Sequence, residues 1–159
     1  MSVLQIDIPG WCSLQLEHLV LDVNGTLTCD GNLLPGVKPR VAELQLVLTV
    51  QLLSADTLGC LDNVAAELGV DSARLRRGEP EAPQKAEIVK RLGNSRVAAI
   101  GNGANDVDML REAALGIAVL GPEGLATPAL LTADVVVGSI EDGLDLLLNP
   151  KRLIATLRR

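Results

Sequence analysis

Hydrophobic and polar positions along the chain follow two periods, and their alternation lays out the elements. Residues 3–8 and 13–17 alternate apolar with polar side chains around Pro9-Gly10, which predicts an amino-terminal β-hairpin. Residues 18–23 are instead a nearly continuous apolar run ending in a carboxylate and Asn24-Gly25, as expected of a strand buried on both faces. Residues 48–53, 96–100, 115–120 and 135–137 read as strands of the same kind. Helical stretches lie between them: 37–46, then a helix to Leu68 capped by Asp56 or Thr57, then 83–92, with Pro83 in its first turn and Ala86, Ile88, Val89 and Leu92 on one side. Further helices are expected after the turn at 101–106 through Ala114, near 123–131, and over 140–147 and 150–157. Strand–helix alternation with continuously apolar strands implies an α/β fold of three layers, Rossmann-like, with a mostly parallel sheet and helices on both faces. No repeat, low-complexity tract or linker interrupts it, so residues 1–159 are expected to form a single domain.

Composition narrows the partners. With 14 Lys+Arg against 20 Asp+Glu the net charge is −6, and Trp11 is the only aromatic residue, so neither a phosphate-backbone attraction nor a base-stacking platform is available. Nucleic acid is excluded as an expected partner. The longest uncharged stretch, 44–55, falls short of the roughly 18 apolar residues that cross a bilayer, so no membrane span is expected. The first residues have neither the basic region nor the apolar core of a signal peptide, and Cys12, Cys29 and Cys60 are odd in number without CxxC spacing, which points to a reducing, cytoplasmic setting. His18 is the sole histidine, so a two-histidine metal site is excluded, and its expected role is a structural one at a strand edge.

In open α/β sheets ligands bind outside the carboxyl ends of the strands. The polar residues that follow the apolar runs are Asp22, Asn24, Thr26, Ser54, Asp56, Asn102, Asn105 and Asp106. Carboxylates gathered there repel one another unless a cation or a strong donor intervenes. With no histidine or cysteine nearby, the matching cation is Mg²⁺, which takes carboxylate, carbonyl and water oxygens. A metal, a hydroxyl, Gly-rich backbone amides and a lysine together describe a phosphate site.

Asp22-Val-Asn-Gly-Thr-Leu-Thr resembles the first motif of the haloacid dehalogenase superfamily, in which the first Asp attacks phosphorus. Ser54 stands where the second motif has Ser or Thr, Lys85 fits the third, and Gly101-Asn-Gly-Ala-Asn-Asp resembles the Gly-Asp-Gly-x-Asn-Asp of the fourth. Within the superfamily, the last motif and Ser54-Ala-Asp are most similar to the phosphorylation domain of P-type ATPases, and so to the group of soluble P-type-ATPase-like proteins. The resemblance, spanning roughly residues 19–137, implies a Mg²⁺-dependent phosphohydrolase working through a phosphoaspartate at Asp22. It implies catalytic roles for Asp22, Asn24, Ser54 and Lys85, phosphate contacts from Ser54, Ala55, Lys85 and Asn105, and metal contacts from Asp22, Asn24, Asn102 and Asp106.

Two departures attenuate that reading. Superfamily phosphatases generally carry Asp where this chain has Asn24, and an amide neither protonates a leaving group nor activates water at neutral pH. Asn102 replaces an Asp that usually contacts Mg²⁺, which weakens the metal site. Slow turnover is therefore expected. The spacings from Asp22 to Ser54 and from Ser54 to Lys85 leave no room for a cap domain, nor for the nucleotide-binding domain of an ion pump. An uncapped site accepts a phosphorylated small molecule or a phosphoprotein, or is roofed by a second subunit; the Thr28 to Gly36 hairpin is similar to that of tetrameric sugar-acid phosphatases, so a homo-oligomer is expected. The alternatives are a catalytically attenuated pseudo-enzyme or regulatory module that binds phosphate or a phosphorylated partner, a phosphoacceptor receiver domain, and a structural subunit with Asp22 in a turn.

Overall fold

The structure is a computed structural model, and it describes residues 2–159. The chain opens with β1 (Leu4–Ile8) and β2 (Cys12–Leu16), paired antiparallel so that Ile6 lies opposite Leu14 and Leu4 opposite Leu16. Their alternation buries Ile6, Ile8, Leu14 and Leu16, and Arg159 closes the arrangement by donating its N–H to the Pro9 carbonyl at 2.9 Å. The expected hairpin is present.

Six parallel strands form the main sheet: β3 (His18–Asp22), β6 (Thr49–Ser54), β7 (Asp71–Arg74), β8 (Val97–Gly101), β9 (Leu115–Val119) and β10 (Val135–Val137). Between β3 and β6 lie a short hairpin, β4 (Thr28–Cys29) with β5 (Asn32–Leu33), and the helix α1 (Val37–Leu44). The remaining helices are α2 (Leu61–Leu68), α3 (Glu81–Leu92), α4 (Val107–Glu112), α5 (Thr127–Thr132), α6 (Ile140–Leu148) and α7 (Pro150–Leu157). No helix among the described residues is long and apolar enough to cross a membrane.

The strand order is β10-β9-β8-β3-β6-β7, so the chain leaves β3 to one side and later returns to the other. That reversal creates a crevice at the carboxyl end of β3, where α/β sheets bind ligands. Strand alternation then decides what faces the crevice. Leu19 and Leu21 turn to the face covered by Val41 of α1, Val64 of α2 and Leu144 of α6, whereas Val20 turns to the face covered by Val89 of α3 and Met109 of α4. Asp22 has the parity of Val20, so it lies on the α3 side.

Some boundaries depart from the sequence expectation. Strand β7 falls in a stretch for which the sequence pattern predicts no element; its Asp-Ser-Ala-Arg sequence sits at the sheet edge with most side chains exposed, so it carries no apolar signal, and its charges suit an edge that must not recruit another strand. Helix α2 starts at Leu61 rather than at Thr57, because Asp56 takes a left-handed backbone (φ 59°) that no helix continues. Helix α5 starts at Thr127, not near Glu123, since Gly124 has φ 90° and Pro128 fits a first turn. The residues before α4 form a 3₁₀ turn, Ala104–Asp106.

Candidate active site

The tight loop after β3 is built by the Val23 carbonyl, which accepts the N–H groups of Thr26, Leu27 and Thr28 at 2.9 to 3.2 Å. Gly25 is required in this bend: its φ is 79°, and a Cβ there would lie 2.7 Å from Nδ2 of Asn102. The bend turns the Thr26 hydroxyl back onto the end of β3, 2.9 Å from Asp22 Oδ2 and 3.0 Å from Asn102 Oδ1. One hydroxyl has one proton, so it serves one of those two acceptors at a time and leaves the other oxygen lone-pair rich.

Lys85 projects from α3 and is fully buried, with Nζ 2.7 Å from Asp22 Oδ1 and 2.7 Å from Asp106 Oδ1. An ammonium bridges the two carboxylates that the sequence suggested a divalent cation would hold apart. Asp106 Oδ2 in turn accepts the N–H groups of Asn102 at 3.1 Å and Gly103 at 2.9 Å, so this carboxylate also shapes the turn after β8. Gly101 makes room for it: a Cβ there would lie 2.5 Å from the Asp106 carboxyl carbon.

One ammonium between two carboxylates leaves one negative charge in excess. Burial and the Asp106 charge push the Asp22 carboxyl up to about 6, against the opposing pull of Lys85 and Thr26. Burial acts to lower Lys85, but Asp22 and Asp106 outweigh it and hold the ammonium above the ordinary lysine range. A further positive charge is therefore favoured next to Asp22. The donors at that point are hard oxygens, Asp22 Oδ2 and Asn102 Oδ1, the latter oriented by its own amide donating to the Gly124 carbonyl at 3.1 Å. Such a set fits a divalent ion of the Mg²⁺ type.

Ser54 ends β6 beside Asp22, since Asp22 is paired with Leu53. The Ser54 hydroxyl oxygen accepts the Asp56 N–H at 2.9 Å, which leaves its proton free for an incoming anion. Asp56 holds this loop: its carboxylate accepts the Leu61 N–H at 2.9 Å, one of the orphan donors of α2, and pairs with Arg74 at 2.9 Å. The Leu61 N–H, with Arg74, holds the Asp56 carboxyl below the usual carboxylate range. Its stabilising contribution is thus complete above the ordinary carboxylate range and lost as pH falls through the depressed value. Asp56→Asn tolerates the left-handed backbone but loses the charge; it is expected to cost about 1 kcal/mol at pH 7, with solvent screening the exposed Arg74 partner. Urea titrations at pH 7 and 3 check this: the difference from the parent should shrink at pH 3, and an equal difference at both would contradict it.

Asn24 and Asn105 stand at the rim. The Asn24 amide nitrogen donates to Thr57 Oγ1 at 3.3 Å and its oxygen faces Cys60 Sγ at 3.6 Å, while Asn105 Nδ2 donates to Glu81 Oε2 at 2.6 Å. Next to them Ala55, Asp56, Thr57, Arg76, Arg77 and Glu81 line a cavity of about 410 Å³. His18 begins β3, at the end of the sheet away from Asp22. A groove of about 380 Å³ between β7 and α3 runs from Gln51 and Leu92 to Arg74, Arg76 and Gln84 at the carboxyl end of β7.

The structure thus joins Asp22, Lys85, Asn102 and Asp106 in one network, sets Ser54 and Ala55 beside it, and ties Asn24 and Asn105 to rim residues. Thr26 stood among the strand-end residues but had no role assigned; its two contacts are its role. Glu81 and Gln84 were missed. Gln84 is buried beside Lys85, accepts the Arg76 N–H at 2.7 Å and donates to the Arg76 and Pro80 carbonyls, clamping the cavity wall. Nothing in hydropathy separates such a glutamine from a solvated helix face.

The family model of haloacid dehalogenase-like hydrolases matches residues 4–114. An uncharacterized protein of Methanocaldococcus jannaschii is 50% identical over 72 residues, covering 45% of this chain and 77% of that one. A soluble P-type ATPase-like phosphatase of the same organism is 29% identical over 137 residues, 84% of this chain, which spans half that relative's length. Among solved structures, the 3-deoxy-D-manno-octulosonate 8-phosphate phosphatase of Moraxella catarrhalis, in complex with magnesium, phosphate and the sugar acid, superposes with a TM-score of 0.62 at 22% identity, over 90% of this chain and 94% of that one.

Proposed function

The chain belongs to the haloacid dehalogenase-like hydrolases, and from that premise we propose that it is a divalent-metal-dependent phosphohydrolase acting through a phosphoaspartate at Asp22. The observation that carries the proposal is the Asp22 carboxylate itself, 5% exposed at a sheet switch point, with one oxygen on Lys85 and the other on Thr26. A buried carboxylate held in two directions is a preorganised nucleophile.

The residues then divide the work. Asp22 attacks phosphorus; Ser54, with its free hydroxyl proton, and the backbone at Ala55 hold phosphoryl oxygens; Lys85 offsets charge on the nucleophile as it bonds to the phosphoryl group. Asp22, the Asn24 carbonyl, Asn102 and Asp106 would hold Mg²⁺, Asp106 directly or through water. When bound, the ion supplies the positive charge that lets two anions approach. Asn105, whose amide gives one N–H to Glu81 and has a second to offer, contacts the phosphoryl group. Turnover is slow, since no carboxyl stands at position 24, and the uncapped mouth admits a phosphorylated small molecule or a phosphoprotein.

A panel of phosphate esters assayed with and without Mg²⁺ tests this reading, with Mg²⁺-dependent phosphate release as the expected result. Binding of inorganic phosphate with no release from any ester would favour the attenuated, regulatory reading. Asn24→Asp is expected to raise kcat at least about tenfold, toward the 10²–10⁴-fold range of general acid–base catalysis. An Asn24→Asp chain that melts like the parent and gains nothing would count against the proposed cause of slow turnover.

A further inference from the structure

A phosphoaspartate cycle needs a proton for the departing oxygen and later needs one removed from water, and the Asn24 amide does neither. Three carboxylates line the cavity beside Ala55: Asp56, Glu79 and Glu81. Asp56 is held by the Leu61 N–H and Arg74, and Glu79 is paired with Arg76 at 2.9 Å, so both are already engaged. Glu81 differs. It accepts only the neutral Asn105 amide and forms no ion pair among the described residues. It lies four residues before Lys85 in α3, so both side chains share one helix face, with Glu81 a turn nearer the open end of the crevice. Glu81 thus stands one helical turn from the lysine that touches Asp22 and hydrogen-bonds Asn105, the residue read as contacting the phosphoryl group and the sequence neighbour of Asp106.

We propose that Glu81 is the proton-transfer group of this site, a less effective substitute for the acid absent at position 24, so that turnover is slow but not lost; the inference rests on the reading of Asp22 as nucleophile. As Asp22 bonds to phosphorus, the bond from phosphorus to the leaving oxygen breaks and protonated Glu81 gives that oxygen its proton. The resulting Glu81 carboxylate takes a proton from water as the water oxygen bonds to phosphorus. The Asp22–phosphorus bond breaks, inorganic phosphate leaves, and Glu81 is again an acid. Of the charged groups facing it, Arg76 is balanced by Glu79 across the cavity, Arg77 shares the rim, and Lys85 is committed to the two carboxylates below.

The test compares Glu81→Gln with the parent chain in Mg²⁺ on two substrates, p-nitrophenyl phosphate, whose leaving group departs without a proton, and an alkyl phosphate, whose leaving group needs one. Glu81→Gln is expected to form the phosphoenzyme from p-nitrophenyl phosphate within about threefold of the parent rate and to accumulate it. Steady-state turnover should fall on the order of 10²-fold, and phosphoenzyme formation from the alkyl phosphate should fall with it. Introducing Asn24→Asp into Glu81→Gln should restore turnover, whereas Asn105→Ala, which breaks the same hydrogen bond but keeps the carboxylate, should slow both substrates alike. Glu81→Gln turning over at the parent rate, or losing both substrates equally as Asn105→Ala does, would overturn the assignment. A parent chain that forms no Asp22-dependent phosphoenzyme would instead sink the functional reading on which it rests.

Discussion

Lys85→Met is expected to lower the unfolding free energy by about 3–5 kcal/mol, the range for removing one partner from a buried ion pair. The side chain is fully buried, and its ammonium lies 2.7 Å from each of two carboxylates that are themselves almost inaccessible to water. Methionine fills much of the volume but leaves Asp22 and Asp106 facing each other without a cation between them. The loss should therefore be electrostatic in origin. Adding Asp106→Asn to Lys85→Met removes one of the two charges while its amide oxygen still accepts the Asn102 and Gly103 N–H groups, so more than half of the stability should return. Urea unfolding of the three chains in metal-free buffer measures this; a Lys85→Met midpoint equal to the parent's, or no recovery in the double variant, would show that the bridge contributes nothing.

Asp22→Asn has the largest expected effect on activity. Removing a nucleophile in a hydrolytic enzyme costs on the order of 10⁶-fold, so no phosphate release and no phosphoenzyme should remain detectable. The fold should survive, and for a reason specific to this site: the substitution keeps the shape of the side chain and removes the excess negative charge facing Asp106, while Lys85 retains its pair with Asp106; the new amide oxygen accepts from Lys85 or from Thr26 but not from both. Loss of turnover with a cooperative melting transition retained at pH 7 is the expected pair of results. Turnover that survives Asp22→Asn would remove Asp22 from the chemistry, and loss of the fold would show that the carboxylate is chiefly structural.

The sequence made some of this legible and hid the rest for physical reasons. Strand β3 was plain because it is buried on both faces and so reads as an unbroken apolar run ending in Asp22. The sheet edge was hidden because β7 is polar on a surface that water reaches, leaving no period to detect. Ser54 and Asp22 were legible as strand-end polar residues, whose place follows from topology alone. The bridge was not. Helix α3 carries Lys85, Lys90 and Arg91, and only packing against β3 decides that Lys85 turns inward while the other two meet solvent. Glu81 and Gln84 belong to the same blind spot, polar residues on an amphipathic helix whose buried role depends on loops that fold back from β7 and β8.

The most direct measurement of the central claim is chemical capture of the intermediate. The parent chain is mixed with Mg²⁺ and a phosphate ester, reduced with borohydride, digested, and its peptides are mapped by mass spectrometry. Reduction converts an aspartyl phosphate to homoserine, so the expected result is homoserine at position 22, absent without Mg²⁺ and absent without the ester. Phosphate release with Asp22 recovered unmodified, or with the mark on any other carboxylate, would contradict it.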